Sequence, residues 1–280
     1  VNDGSTDETP AILADCAARH PWIKIVNRST NERRVGGGVV EAFYDGLRHV
    51  ELQQFEYICK LDMDLELPDR YFELLIDRME QNPLLGTCSG KPYYPAKSNH
   101  EGRFAGKVVS EACADDMSVG MTKFYRVECF LEIGGFVKEV MWDGIDCHRC
   151  RMLGWQAMSW NDPELRFLHL RPMGSSHKGI LTGRLRHGYG QYYMGTTFTY
   201  ILASSLYRMT RPPRLVGGMA MLIGFVKSAL QRLPQYDDHE FRRFLRQYQW
   251  LCLTRGRRHA MREVPRPRGE QEPHPVAART

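Results

Sequence analysis

Apolar residues along the first half of the chain fall into short runs whose spacing switches between two and about three and a half, which predicts strands and helices in alternation. Ser5 to Glu8 has the spacing of a capping box, and Ile12, Leu13, Cys16 and Ala17 follow at helical intervals as far as His20 and Pro21. Residues 22–26 read as a strand, 27–38 as a polar, glycine-rich loop and 39–50 as a helix. Next come a strand over 55–61, an amphipathic helix over 69–81 and a strand over 85–89. Residues 91–116 lack periodicity, and a connection of that length reads as a lid or binding loop. A strand over 121–127, a short helix over 128–133 closed by Gly134 and Gly135, a helix after residues 142–146 ending at Gly154, and strands over 156–160 and 165–170 complete the pattern. This order predicts an α/β sheet of mainly parallel strands with helices on both faces.

A chain of 280 residues, 42% hydrophobic and 25% charged, is long enough to bury a full core. Its eight cysteines form no regular framework and no signal peptide leads the chain, so a reduced, cytoplasmic setting is expected. The chain opens at Val1 on what reads as the end of a strand, so an upstream strand and helix are expected. Charge divides it sharply. Residues 1–165 carry 18 Lys and Arg against 27 Asp and Glu, whereas residues 166–280 carry 20 against 6. The expected organisation is a catalytic domain over 1–170, a basic, mainly helical region over 171–254 and a disordered tail over 255–280.

Residues 60–68, K-L-D-M-D-L-E-L-P, place Asp62 and Asp64 at the end of a predicted strand. In open α/β sheets ligands gather at the carboxyl ends of strands. One or two carboxylates there hold Mg²⁺ or Mn²⁺ while leaving positions for diphosphate oxygens; the plainer reading is a solvated turn.

Four motifs in order resemble those of the family 2 glycosyltransferases. V-N-D-G-S-T-D-E-T at the start is similar to that family's V-D-D-G-S-x-D-x-T, and K-L-D-M-D-L-E-L-P-D to its strand-terminal D-x-D. G-G-G-V-V-E-A-F-Y-D-G-L resembles its glycine-rich loop and helix, with Tyr44 where Asn is frequent, and F-Y-R-V-E-C-F-L-E-I-G-G-F its segment before the catalytic acid. The resemblance implies a GT-A fold, a nucleotide-sugar donor, a divalent metal cofactor and inversion at the anomeric carbon. By the same likeness Asp3, Asp62, Gly36 and Gly37 are donor-binding and Asp64 is a metal ligand, with Asp62 beside it.

Inversion needs a carboxylate to take the acceptor's proton. The family's E-D-x-D is replaced by Trp142-Asp143-Gly144-Ile145-Asp146, followed by Arg149 and Gly154 at the family's intervals from Asp143. Asp143 is therefore the first candidate base, and Asp146, one place late, the alternative. Cys147 and Cys150 form a lone C-x-x-C without a partner pair and read as packing thiols. His169, at the end of the last predicted strand, is a candidate metal ligand by the same resemblance, and Arg171 beyond it a candidate for the donor diphosphate.

Residues 215–226 are apolar, too few to cross a bilayer, with cations on both flanks. They read either as a segment in the membrane interface, with a charge at Leu222 or Phe225 as the expected disruption, or as a buried helix. The chain is thus expected to move a sugar to a glycan or lipid-linked acceptor at the cytoplasmic face of the plasma membrane. No nucleic-acid module accompanies the basic charge. The rival readings are a nucleotidyltransferase and a glycosyltransferase-like domain that binds without turnover.

Overall fold

Helix α1 (Thr9–Arg19) begins three residues later than the Ser5 to Glu8 spacing predicts. The Ser5 amide donates to Asn2 Oδ1 at 3.1 Å, which commits Ser5 to a turn, and Asp7 Oδ1 accepts the Thr9 amide at 3.0 Å. Pro10 then fits the first turn, where its missing N–H costs nothing. This computed structural model describes residues 1–29, 36–95, 108–111, 113–170, 179–211 and 213–263.

Helix α2 (Gly37–Leu47) follows the glycine loop. Strand β1 (Tyr57–Leu61), strand β2 (Leu65–Glu66) and helix α3 (Tyr71–Gln81) come next. Strand β3 (Leu85–Pro95) is 11 residues long and runs well into the segment read as a loop, where β4 (Val108–Ser110) also lies. Strand β5 (Thr122–Arg126), helix α4 (Val127–Glu132), helix α5 (Trp142–Met152), strand β6 (Gln156–Trp160) and strand β7 (Arg166–His169) complete the α/β part. Residues 142–146 form the first turn of α5 rather than a lead-in to it.

The sheet runs β1-β5-β3-β7-β2, with β4 and β6 also on β3. It is mixed, not mainly parallel. β3 pairs parallel with β6 and β7, both reached through crossovers, while β1 with β5, β5 with β3, β4 with β3 and β2 with β7 are antiparallel. Of the strands predicted at the start and over 22–26, the described residues retain one parallel bridge, Asn2 to Asn27.

Side chains of β5 alternate between two cores, as a period of two requires. Phe124 joins Leu75, Met79 and Phe167 under α3, whereas Tyr125 joins Phe130, Phe136 and Trp142 beneath α2, α4 and α5. Gly134 and Gly135, both at φ 70°, close α4 as expected. A Cβ on Gly135 would strike the Tyr44 hydroxyl, which receives the Phe136 amide at 2.7 Å and donates to the Phe136 carbonyl at 3.0 Å. Tyr44 thus ties α2 to the G-G-F turn.

The C-terminal region is helical: α6 (Gly179–Met194), α7 (Phe198–Met209), α8 (Val216–Leu230), α9 (His239–Thr254) and α10 (Arg257–Glu263). Order therefore continues past residue 255, where a disordered tail is expected; residues 264–280 lie outside those described. Ile145 and Met152 of α5 pack with Met194, Phe241 and Leu245, which seats this region on the α/β part. Asp116 reinforces the seat from below 3% exposure, accepting from Tyr248 of α9 at 2.5 Å and from Arg257 of α10 at 3.2 Å.

Candidate active site

The strands deliver their polar ends to one place. Lys60 of β1 and Lys123 of β5 are register partners on the face toward α5, and both are buried. The Trp142 ring lies by both ammonium groups, 5.2 Å from Lys60 Nζ and 5.8 Å from Lys123 Nζ, so the residue standing where the family has Glu serves as a shared cation–π surface. Lys60 Nζ pairs with Asp62 and donates to the Gly120 carbonyl at 3.0 Å. The Asp62 amide in turn donates to the Met121 carbonyl at 2.8 Å, which fixes the D-x-D turn against the lead-in to β5.

Gly120 is the hinge of this arrangement. A Cβ there would lie 2.8 Å from Asp143 Oδ2, so the Asp143 carboxylate rests on the bare glycine whose carbonyl receives Lys60. Asp143 and the Lys60–Asp62 pair therefore flank one residue. The main chain of Asp143 is pinned as well, its carbonyl accepting from Lys123 Nζ at 2.9 Å. Met141, immediately before, caps α5 at φ 61°, the left-handed region that a non-glycine residue occupies only under constraint. Its side chain is wedged against Gly190 of α6, where no Cβ would fit.

Asp146 is placed differently from Asp143. It is 1% exposed, its two oxygens are each 2.6 Å from Lys123 Nζ, and it also accepts from the Tyr125 hydroxyl at 2.5 Å and the Cys147 amide at 2.6 Å. Such a carboxylate faces the core and has its lone pairs taken, so it cannot receive an acceptor proton. Burial alone would lower Lys123, but the Asp146 carboxylate outweighs it and holds the ammonium above its ordinary value. Cys147 lies 3.1 Å from Lys123 Nζ, burial pushing its thiol up to about 12, while Cys150 faces Cys129 at 3.5 Å.

Antiparallel pairing of β2 with β7 places Leu65 opposite His169, and the Leu170 amide donates to the Asp64 carbonyl at 3.0 Å. His169 Nε2 is consequently 3.6 Å from Asp64 Oδ2. On its other side Nδ1 lies 3.4 Å from Glu111 Oε2, beside β4, an orientation that turns Nε2 toward Asp64. Burial would lower the imidazole; the bond to Glu111 and the charges of Glu111, Asp64 and Asp62 outweigh it and raise it above its usual value. Among the described residues no group of three or more His, Cys, Asp or Glu side chains is gathered for a metal.

Asp3 sits at the far end of the first turn, held by Arg28 Nη1 at 2.6 Å while Arg28 Nε reaches Asp45 of α2 at 2.6 Å. Gly36, at φ 85°, and Gly37 pack against the segment before α5, since a Cβ would come within 2.8 Å of Val140 Cγ1 and 2.7 Å of the Lys138 carbonyl respectively. Arg171 lies outside the described residues. Lys60, Lys123, Gly120, Arg28 and Glu111 were not singled out by motif. A lysine at an inward position of a strand, as in Y-I-C-K-L and T-K-F-Y-R, is the signal that marks two of them.

A mixed α/β sheet with helices on both faces and paired carboxylates just beyond β1 agrees with the expectation drawn from the resemblance in sequence. Residues 1–128 match the family described as Glycosyl transferase family 2. A poly-beta-1,6-N-acetyl-D-glucosamine synthase of Staphylococcus epidermidis is 30% identical over 103 residues, 37% of this chain and 23% of that protein. The chain therefore spans less than a quarter of the length of the curated relatives it matches. Similar solved structures include a mannosyltransferase from Pyrobaculum calidifontis in complex with GDP-Man and Mn²⁺, at TM-score 0.44 and 16% identity over 92% of this chain and 72% of the other. Another is TarS 1-349 of S. aureus, at TM-score 0.41 and 13% identity over 93% and 70%. At these scores neither likeness assigns a role to any residue.

Proposed function

We propose that the chain is a metal-dependent, inverting glycosyltransferase that moves a sugar from a nucleotide-sugar donor to a glycan or lipid-linked acceptor. The observation that carries this reading is the placement of the Asp143 carboxylate on Gly120, across from the Lys60–Asp62 pair, together with Asp64 facing His169 where β2 pairs with β7. A carboxylate and an imidazole at such separation suit Mn²⁺ or Mg²⁺ when two protein ligands are joined by diphosphate oxygens, so Asp64 and His169 are the residues that would hold the ion, with Asp62 beside them. When bound, a divalent ion neutralises charge developing on the departing diphosphate.

Asp143 accepts the proton of the acceptor hydroxyl as that oxygen bonds to the anomeric carbon, and the bond from that carbon to the diphosphate breaks on the opposite face. Lys123 and Gly120 hold the base in place during this step. Asp62, restrained by Lys60, and Asp3, restrained by Arg28, are the donor contacts, and Gly36 and Gly37 bring α2 close to the segment preceding α5. A lipid-linked acceptor would be met at the cytoplasmic face of the plasma membrane.

The test is a thermal-shift panel of UDP, GDP and TDP with Mn²⁺, followed by donor turnover. Asp143→Asn is expected to keep the nucleotide-dependent shift and lose about 10²-fold or more in turnover, whereas Asp64→Asn loses the Mn²⁺-dependent part of the shift. Turnover undiminished in both variants would sink this assignment.

A further inference from the structure

Helix α8 is built inside out. Gly217, Gly218, Ala220, Gly224 and Ser228 lie buried with Met221 and Phe225, while Val216, Met219, Ile223, Val226 and Leu230 are 36% to 80% exposed along a single stripe. Its glycines allow backbone contact: a Cβ on Gly224 would strike the Leu185 carbonyl of α6, and one on Gly218 the Ser205 carbonyl of α7. Gly188 of α6 answers from the other side, abutting the Met221 carbonyl. In water a helix gains most by turning its large apolar side chains inward. Close association through small residues, with the large ones turned out, is the packing of helices whose surroundings are themselves apolar. Phe198, Leu202 and Leu206, exposed at intervals of four, repeat the pattern on α7.

Charge identifies the apolar surroundings. Residues 179–236 contain seven Lys and Arg and no Asp or Glu, and Arg214, Lys227 and Arg232, all exposed, flank or lie on α8. Two copies meeting through this face would set cations against cations, whereas an anionic lipid surface complements them. The 15 residues of α8 extend only ~22 Å, short of the ~30 Å hydrocarbon core, and among the described residues no helix is long and apolar enough to cross a membrane.

We propose that the outer side of α7 and α8 is a seat for an anionic lipid bilayer, α8 lying along the headgroup boundary with Met219, Ile223 and Leu230 inserted and the flanking cations on lipid phosphates. This refines the membrane side of the proposed function. Because binding is read without donor or metal, its failure would leave the transfer chemistry standing. Phe225 points inward, so Met219 and Ile223 are the positions that report on the surface.

The 280-residue protein should float with vesicles of phosphatidylcholine and phosphatidylglycerol and not with phosphatidylcholine alone, and added salt should weaken the binding. Met219→Glu with Ile223→Glu should reduce flotation at least ~10-fold with an unchanged melting curve, while Trp22→Glu, at an exposed site on another part of the chain, should leave it intact. Absence of flotation on anionic vesicles, flotation unchanged in the double variant, or a dimer by light scattering that Ile223→Glu dissociates would each overturn the proposal.

Discussion

Lys60 and Lys123 stand directly opposite each other on neighbouring strands, and the protein neutralises each with a carboxylate of its own, Asp62 for the first and Asp146 for the second. Like charges across a ladder destabilise a sheet, so the pair persists because both partners and the Trp142 ring are in place. This organisation gives the two strands different tasks. Lys60 leads to the partly exposed carboxylate of Asp62, whereas Lys123 and Asp146 are sealed in the core, with Lys123 reaching the candidate base through the Asp143 carbonyl.

Lys123→Met should therefore cost about 3–5 kcal/mol, since it leaves the Asp146 carboxylate buried without its counter-charge. Adding Asp146→Leu to it should recover much of that loss, because an apolar pair of similar volume removes both the charge and its desolvation cost. Urea midpoints of the two variants decide the matter. A double variant as unstable as the single one would show that the ion pair is not what Lys123 contributes.

Gly120→Ala tests the base without replacing a charged residue. The added methyl meets Asp143 Oδ2 at 2.8 Å, closer than carbon and oxygen pack, so the carboxylate must shift by a few tenths of an ångström or more. A displacement approaching 1 Å lowers turnover by about 10²-fold. The expected outcome is a fall in kcat with KM for donor nearly constant, since the atoms nearest the added methyl all belong to Asp143 and none to Asp62 or Asp64. A rise in KM at unchanged kcat would place Asp143 in donor binding instead of proton transfer.

Much of this site is readable from the residues in order along the chain. The D-x-D at the end of β1, the G-G-F turn and the first turn of α5 carry their positions in local chemistry: an apolar lead-in, two glycines with positive φ, and an acidic helix start. The choice between Asp143 and Asp146 is not local. Three residues apart on one helix, they differ because β5 presents Lys123 and Tyr125 to one while its lead-in presents Gly120 to the other, a distinction set by pairing between distant segments. The strand directions escape the sequence for a related reason. β3 is a buried run of mostly apolar and small residues that pairs with four strands, and nothing in its own residues says from which direction each partner arrives. α8 is legible in composition alone; which of its apolar residues face outward depends on where its own Gly218 and Gly224 and Gly188 of α6 bring the backbones together.

The seat of the C-terminal helices should also weaken in mild acid, through His148. Its ring lies against Tyr248 and Phe241, and Nδ1 is 3.1 Å from Arg151 Nη1. Burial first, then the positive charges of Arg151, Arg257 and Lys123, hold its pKa well below the ordinary value despite the opposing charge of Asp116. The folded imidazole thus stays neutral where the unfolded one, with a pKa near ~6.5, takes up a proton. Below about pH 6.5 the unfolded chain binds more protons than the folded one, so stability falls as pH falls, by up to ~1.4 kcal/mol per pH unit until the folded pKa is reached. His148→Gln removes this contribution and leaves every other titrating group in place, including His169, whose raised pKa acts with the opposite sign. Melting temperatures at pH 7.0 and at about pH 5.5 should therefore drop by less in His148→Gln than in the parent protein. Equal drops would mean that His148 is protonated in the folded state and that Asp116 outweighs the two arginines beside it.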